Sequence, residues 1–316
     1  MNKTTTLRMV SLAIIALLLA ACGSETPPTQ MPTAQPTTVA GRYLVLGDIS
    51  DDPIDAIEEA QPLADYLAAH LKEYGIAEGR VRVAASMSEM SEMLANGEVD
   101  VYFDSVYPAT IVSDQTGGQI FIRRWKSGVG EYHTMIFTNK ASGITSIEDM
   151  GGNTFGVEDN YSTSGYMLPL AYLHMNQLNV VAGTGAVNET VAEDQVAYVF
   201  TGDDENTVQW VLTGRVDAGA VENGAFDELD PATRDQLVVL AETESLPRHV
   251  GVARPGFEPE LLQALTVLLL NATESEEGRQ ALQSFSNTAR FDEFPQGLEA
   301  ATVRIRELVA LVQNAG

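Results

Sequence analysis

The chain has 316 residues, 45% hydrophobic and 20% charged, which is enough to bury a full core and excludes a disordered polymer. With 18 Lys plus Arg against 44 Asp plus Glu, the net charge of −26 repels a nucleic-acid backbone, so any bound anion must be held by a local feature. The single cysteine excludes an internal disulfide framework and a cysteine-rich metal cluster.

Residues 1–21 read as an export signal. Lys3 and Arg8 precede an apolar run, Leu12 to Leu19, that is too short to remain as a membrane-spanning helix. The run ends in Leu19-Ala20-Ala21-Cys22, which resembles the bacterial lipoprotein box, so Cys22 is the expected lipidation site. The mature protein is then exported and anchored to the outer face of the cytoplasmic membrane, or free in the periplasm if Cys22 merely follows an ordinary signal peptide. Residues 22–40, rich in Thr and Pro and without hydrophobic periodicity, read as a tether.

From residue 41 the pattern alternates short apolar runs with amphipathic helices. Tyr43 to Gly47 reads as a buried strand, and Ile57, Ala60, Ala64, Leu67 and Leu71 recur at helical spacing before Gly75, a stop signal. Further strands are predicted at 136–138, 155–157, 197–200 and 238–240. This alternation predicts an α/β fold with mostly parallel pairing. Gly97-Glu98-Val99-Asp100 and Gly214-Arg215-Val216-Asp217 each separate a helix from a strand, which reads either as an internal two-lobe repeat or as ordinary helix-to-strand punctuation.

The segment Val157 to Tyr166 leaves a strand and enters a helix carrying Met167, Leu168, Ala171 and Leu178, so Ser162, Thr163 and Ser164 crowd a helix N-terminus. Backbone N–H groups, the positive end of the helix dipole and hydroxyl donors at one point form a place for an oxyanion, and equally an N-cap without a ligand. His133 and the cluster Arg123-Arg124-Trp125-Lys126 either help attract an anion or, for Arg123 and Arg124, guard a sheet edge. Trp125 and Trp210 read as packing residues.

Ser162-Thr163-Ser164-Gly165-Tyr166, with Ser142 to Gly152 upstream and Gly214 to Ala220 downstream, resembles the phosphonate-binding protein family of ABC importers. Gln61 to Leu67, Gly97 to Val101 and Leu246-Pro247 agree, and the likeness spans about residues 43–295. The resemblance implies a two-lobed periplasmic-binding-protein fold of type II, with two hinge crossovers and a cleft that closes over a phosphonate, phosphite or phosphate. Lobe one is expected at 41–136 plus 249–316 and lobe two at 137–248, with crossovers near Phe137 and Gly251 and the C-terminal helices packed back on lobe one. It implies Ser162, Thr163 and Ser164 as oxyanion donors, Tyr107 as a wall from the other lobe and Asp217 as an acceptor, unless Asp217 is a buried turn residue. The family's Gly-Ser-His reads Gly202-Asp203-Asp204 here, so a histidine donor becomes the acceptor Asp204. Asp204 either receives a ligand ammonium, with Asp217 or Glu222, or caps the next helix.

No phosphate loop, dinucleotide fingerprint, nucleophile elbow or zinc-protease motif is present, and the four histidines are scattered. The expected function is a lipid-anchored, monomeric carrier serving an ABC permease and its ATPase, with no metal, cofactor or nucleic acid. The alternatives are a binding protein that reports to a membrane sensor, a lipoprotein hydrolase and a structural envelope lipoprotein.

Overall fold

The computed structural model describes residues 41–186 and 189–313, so the export signal, Cys22 and the tether expected for residues 1–40 lie outside the described residues. β1 (Arg42–Ile49), α1 (Pro53–His70), β2 (Ile76–Ala84), α2 (Met87–Ala95), β3 (Val101–Asp104), α3 (Val106–Thr116) and β4 (Gln119–Arg124) form a first pass. The chain crosses through β5 (Glu131–Tyr132) into β6 (Thr134–Asn139), β7 (Asn153–Val157), α4 (Leu168–Met175), β8 (Asn179–Ala182) and β9 (Gln195–Phe200). α5 (Asp204–Leu212), β10 (Ala218–Glu222), α6 (Asn223–Asp227), α7 (Pro231–Arg234) and β11 (Leu237–Glu242) complete the second pass. The chain returns through β12 (Leu246–Pro247) to β13 (His249–Ala253), α8 (Pro259–Leu270), α9 (Glu276–Ser284), β14 (Phe291–Asp292) and α10 (Leu298–Gln313).

Local chemistry sets the element limits. Asp52 caps α1 by accepting from the amides of Ile54 and Asp55, and Pro53 takes the first helical position, where no N–H is needed. Ala56, Ala60, Leu63, Ala64 and Leu67 bury one face of α1. Past the end of α1, Gly75 turns the chain at φ 79°, the left-handed region that a side chain would resist.

Two six-stranded sheets result, ordered β14-β4-β13-β3-β1-β2 and β11-β6-β10-β7-β9-β8, with β5 and β12 pairing as a two-stranded strip where the chain crosses. The central strands pair in parallel, β1 with β2 and β3, and β7 with β9 and β10, whereas β14 runs antiparallel to β4. β6 and β13 enter from the crossings and run antiparallel to both neighbours. Pairing is therefore mixed, not mostly parallel, because a strand fed from the other sheet arrives at the opposite end from one fed by a crossover helix.

The crossings lie slightly outside the expected points: Phe137 and Gly251 are interior to β6 and β13. Thr134 and Met135 belong to the second sheet because Thr134 is buried, with its hydroxyl donating to Ser164 O at 2.8 Å and its amide to Thr243 Oγ1 at 3.0 Å. A buried threonine with both polar groups paired continues a strand as well as a valine does.

Leu261, Leu265 and Leu269 of α8 join the core on one face of the first sheet, with Leu44, Leu63, Leu67 and Phe103. α10 does something different. It packs against α3 of the first pass and α4 of the second, and Ile305, Leu308, Val309 and Val312 share one cluster with Tyr107, Val112, Leu168 and Leu173. Arg306 reaches Asp114 at 2.8 Å on α3, and Arg304 reaches Glu244 beside the return crossing. Replacing the fully buried Leu308 by alanine is expected to lower unfolding stability by about 2–5 kcal/mol, measured by denaturant titration, because it opens a cavity where three helices meet.

Candidate ligand cleft

Two N-termini meet across the sheets. On the first, β3 ends at Asp104, whose carboxylate accepts from the Ser105 amide at 2.6 Å and from the Tyr102 hydroxyl, and α3 begins immediately after. On the second, β7 ends at Val157 and the chain turns at Ser162, whose Oγ accepts from the Gly165 amide at 2.9 Å. A wide turn over Thr163–Met167 then runs into α4, which ends at Met175, so Leu178 lies beyond the helix. The Tyr107 amide of α3 donates to Thr163 Oγ1 at 2.9 Å, joining the two N-termini by a buried hydrogen bond. Tyr107 stacks near Tyr166 at 6.0 Å between ring centroids, and Tyr166 packs on Tyr198 and Phe200.

Thr163 and Ser164 are buried beside Tyr107, so the structure brings these three predicted residues together, with Ser162 as the cap. Asp217 is elsewhere. Its Oδ2 accepts from the amide and hydroxyl of Thr154 at 2.8 and 2.7 Å, just before β10. β10 runs parallel to β7, so Asp217 sits at the opposite sheet end from Ser162, about 16 Å along the strand from Glu222. Half-buried and held by Thr154 just before β10, it fits the turn-residue reading.

Asp204 does not cap α5. Asp203 does, accepting from the Asn206 amide at 2.6 Å, and leaves Asp204 Oδ1 buried with no hydrogen-bond partner. Burial, with the repulsion of Glu158 and Glu222, pushes the Asp204 carboxyl up to about 7, with Arg248 opposing. Glu158 was not singled out by sequence. A Cβ on Gly165 would lie 2.5 Å from Glu158 Oε2, so the carboxylate rests directly on the backbone of the helix entrance. Burial raises its carboxyl while Ser162 holds it down. The helix entrance read as an oxyanion site thus carries an acid of its own, and the Arg248 guanidinium, 4.4 Å from the Tyr132 ring centroid, is the cation that acts on both Glu158 and Asp204.

The basic cluster divides by strand alternation. Arg123 pairs with Glu131 at 2.6 Å and Asp292 at 2.7 Å, whereas Arg124 is buried on the opposite side, bonded to Thr288 Oγ1 and Phe285 O and stacked on the Phe285 ring. β4 is not an edge strand, since β14 covers it, so edge protection is not the role of these arginines. Arg124 and Lys126 instead line a cavity of about 550 Å³ between the strand ends of the first sheet and Asn160 and Tyr161 of the second. The signal was three basic residues in four positions of a strongly acidic chain. A depression of about 620 Å³ between the end of α1 and α8 carries none of the candidate residues. Among the described residues no cluster of metal-ligating side chains occurs, and no helix is long and apolar enough to cross a membrane.

Two mixed sheets joined by a paired double crossing, with helix N-termini facing each other, define a type II periplasmic binding protein. Residues 49–296 match the phosphonate periplasmic substrate-binding proteins of ABC transporters, and the chain belongs to that family. It is accordingly an extracytoplasmic substrate-binding protein of an ABC transporter for phosphonate-type ligands, and the family is one of transporter components, not of enzymes. Among solved structures, XAC2383 from Xanthomonas citri bound to ATP is 28% identical, with 86% of this chain and 98% of that chain covered and a TM-score of 0.77. PhnD1 from Prochlorococcus marinus in complex with methylphosphonate shares the fold at 17% identity, 87% and 99% coverage and a TM-score of 0.60. The binding component of an ABC phosphonate transporter from Pseudomonas aeruginosa does so at 20% identity, 87% and 88% coverage and a TM-score of 0.57.

Between the ordinary carboxyl value of 3.8 and the raised value of about 7, the folded state holds the Asp204 proton and the unfolded state does not, so stability falls as pH rises through this window. Melting temperature is expected to drop from pH 4 to pH 7, and Asp204→Asn to flatten the slope. Asp48, raised to about 6 by burial and Asp104, supplies part of the remaining slope.

Proposed function

We propose that the protein is a lipid-anchored carrier that captures a phosphonate-, phosphite- or phosphate-type oxyanion by hinged closure of one sheet on the other and hands it to an ABC permease driven by its ATPase. The observation that supports this reading best is the Tyr107 amide on Thr163 Oγ1. Each helix N-terminus carries the equivalent of about half a positive charge. Two such ends face to face, with the hydroxyls of Ser162, Thr163 and Ser164 between them, attract an oxyanion against the global field of a chain at −26. Ligand that touches both ends favours the closed arrangement over the open one, because only the closed arrangement makes both sets of contacts. The paired strip of β5 and β12 is the hinge in this reading.

Asp204 selects among such ligands. A buried carboxylate oxygen without a partner, beside Glu158 and Glu222, favours a ligand that brings its own cation, an aminoalkylphosphonate. The ammonium supplies both the missing donor and the missing charge.

Isothermal titration with phosphate, phosphite, methylphosphonate and 2-aminoethylphosphonate tests this. At least one is expected to bind at micromolar or tighter affinity, about −8 kcal/mol, and Thr163→Val to weaken it tenfold or more. Asp204→His is expected to reverse an amino-dependent preference. A folded protein silent to all four, or binding unchanged in Thr163→Val, contradicts the reading.

A further inference from the structure

Resting on this carrier reading for the phosphoryl end, we propose that the cavity beside it is a second anion subsite, in which Lys126, Arg124 and His249 hold a further acidic group of the ligand, a carboxylate or second phosphoryl. The ligand is therefore a bifunctional compound, not a simple alkylphosphonate. At about 550 Å³ the cavity falls in the roughly 300–1,000 Å³ range of sites for extended small molecules, far more than one phosphoryl group fills.

The cavity's two basic groups, Arg124 and Lys126, make no salt bridge among the described residues. Several other arginines of this acidic chain find carboxylates, Arg82 with Glu98, Arg123 with Glu131 and Asp292, Arg254 with Asp100 and Arg304 with Glu244, whereas Arg234 bonds only to carbonyls. Among the described residues Lys126 makes no salt bridge within 4.0 Å, and Arg124 is satisfied only by a hydroxyl and a carbonyl. His249 is 6% exposed, lines the same cavity and has a buried Nδ1 with no hydrogen-bond partner. Burial, then Arg124, Lys126 and Arg248, all disfavour its charged form, and no carboxylate offsets them. At Lys126 the repulsion from Arg124 and Arg248 outranks the attraction of Asp104 and Asp48. Asp48, Asp51 and Asp104 also line the cavity, and Asp48 and Asp104 act on Arg124 more strongly than Arg248 does, but Asp104 is already engaged by Tyr102 and Ser105, and among the described residues none of the three forms a salt bridge with Arg124 or Lys126. Ser86, Met87 and Ser88 at the start of α2 complete the wall.

A cation taken out of water without a counter-charge is costly, and an incoming anion with hydrogen-bonding oxygens removes that cost. Lys126 lies two residues past β4, on the crossing itself, so an anion bound there and an oxyanion bound at Thr163 draw the two sheets together from separate points.

Methylphosphonate and phosphonoacetate, which differ by one carboxylate, are titrated into the wild-type protein, Lys126→Gln, Lys126→Arg and Thr163→Val. Phosphonoacetate is expected to bind at least tenfold tighter than methylphosphonate, and Lys126→Gln to abolish the advantage while leaving methylphosphonate within twofold. Lys126→Arg is expected to retain most of the advantage. Equal affinities in the wild type, or equal weakening of both ligands by Lys126→Gln, overturn the second subsite and leave the carrier reading standing. Lys126-dependent binding of phosphonoacetate that ignores Thr163→Val supports the subsite and overturns the oxyanion position. Silence toward both ligands overturns both.

Discussion

The arrangement of the cleft depends on one hydrogen bond, from the Tyr107 amide to Thr163 Oγ1, because it fixes two helix N-termini from different sheets on the same point. Everything around it follows the same logic of satisfying that contact. Thr134 at the start of β6 anchors Ser164 from below, Ser162 closes the turn onto Gly165, and Tyr107, Tyr166, Tyr198 and Phe200 form an aromatic flank. α10 packs on the helices that grow from both N-termini, so the last element of the chain supports the first contact of the cleft.

Electrostatics divides the cleft into two ends. Glu158, Asp204 and Glu222 gather near the turn at Ser162, whereas Arg124, Lys126 and His249 gather at the strand ends of the first sheet, and Arg248 acts on both groups. Arg124 and Lys126 face Asp48 and Asp104 without forming a salt bridge to either, and burial beside these cations disfavours the charged form of His249. Ligand recognition in such a cleft is a matter of complementing both ends at once. A group that fits only one end leaves the other uncompensated.

Periodicity located the elements well. Ala60, Ala64 and Leu67 of α1, the stop at Gly75 and the strands around 43–47, 155–157 and 197–200 stand where the sequence pattern puts them, whereas Ile57 is exposed and Ala56 is buried instead. Direction and position across the sheet are not carried by periodicity, so the antiparallel β6 and β13 were not foreseen. The boundary at 136/137 missed Thr134 for a related reason: a threonine reads as polar until its hydroxyl is seen bonded to Ser164 O. At the site, the order and spacing of Ser162-Thr163-Ser164 and Tyr107 were legible, but their mutual contact was not. Asp203 and Asp204 are indistinguishable as caps in sequence, since one residue of register decides which carboxylate meets the Asn206 amide and which is left without a partner. Glu158 escaped because its role depends on which way a side chain leaves a strand end, whereas the cluster holding Arg124 was legible and only its division by strand alternation was not.

The most direct measurement is an amide chemical-shift titration of the isotopically labelled protein with its tightest phosphonate. The account predicts the largest perturbations at the amides of Tyr107 and Thr163 to Gly165, with downfield movement as N–H groups turn onto an oxyanion. Perturbations concentrated elsewhere, with these four amides unmoved at saturation, would contradict it.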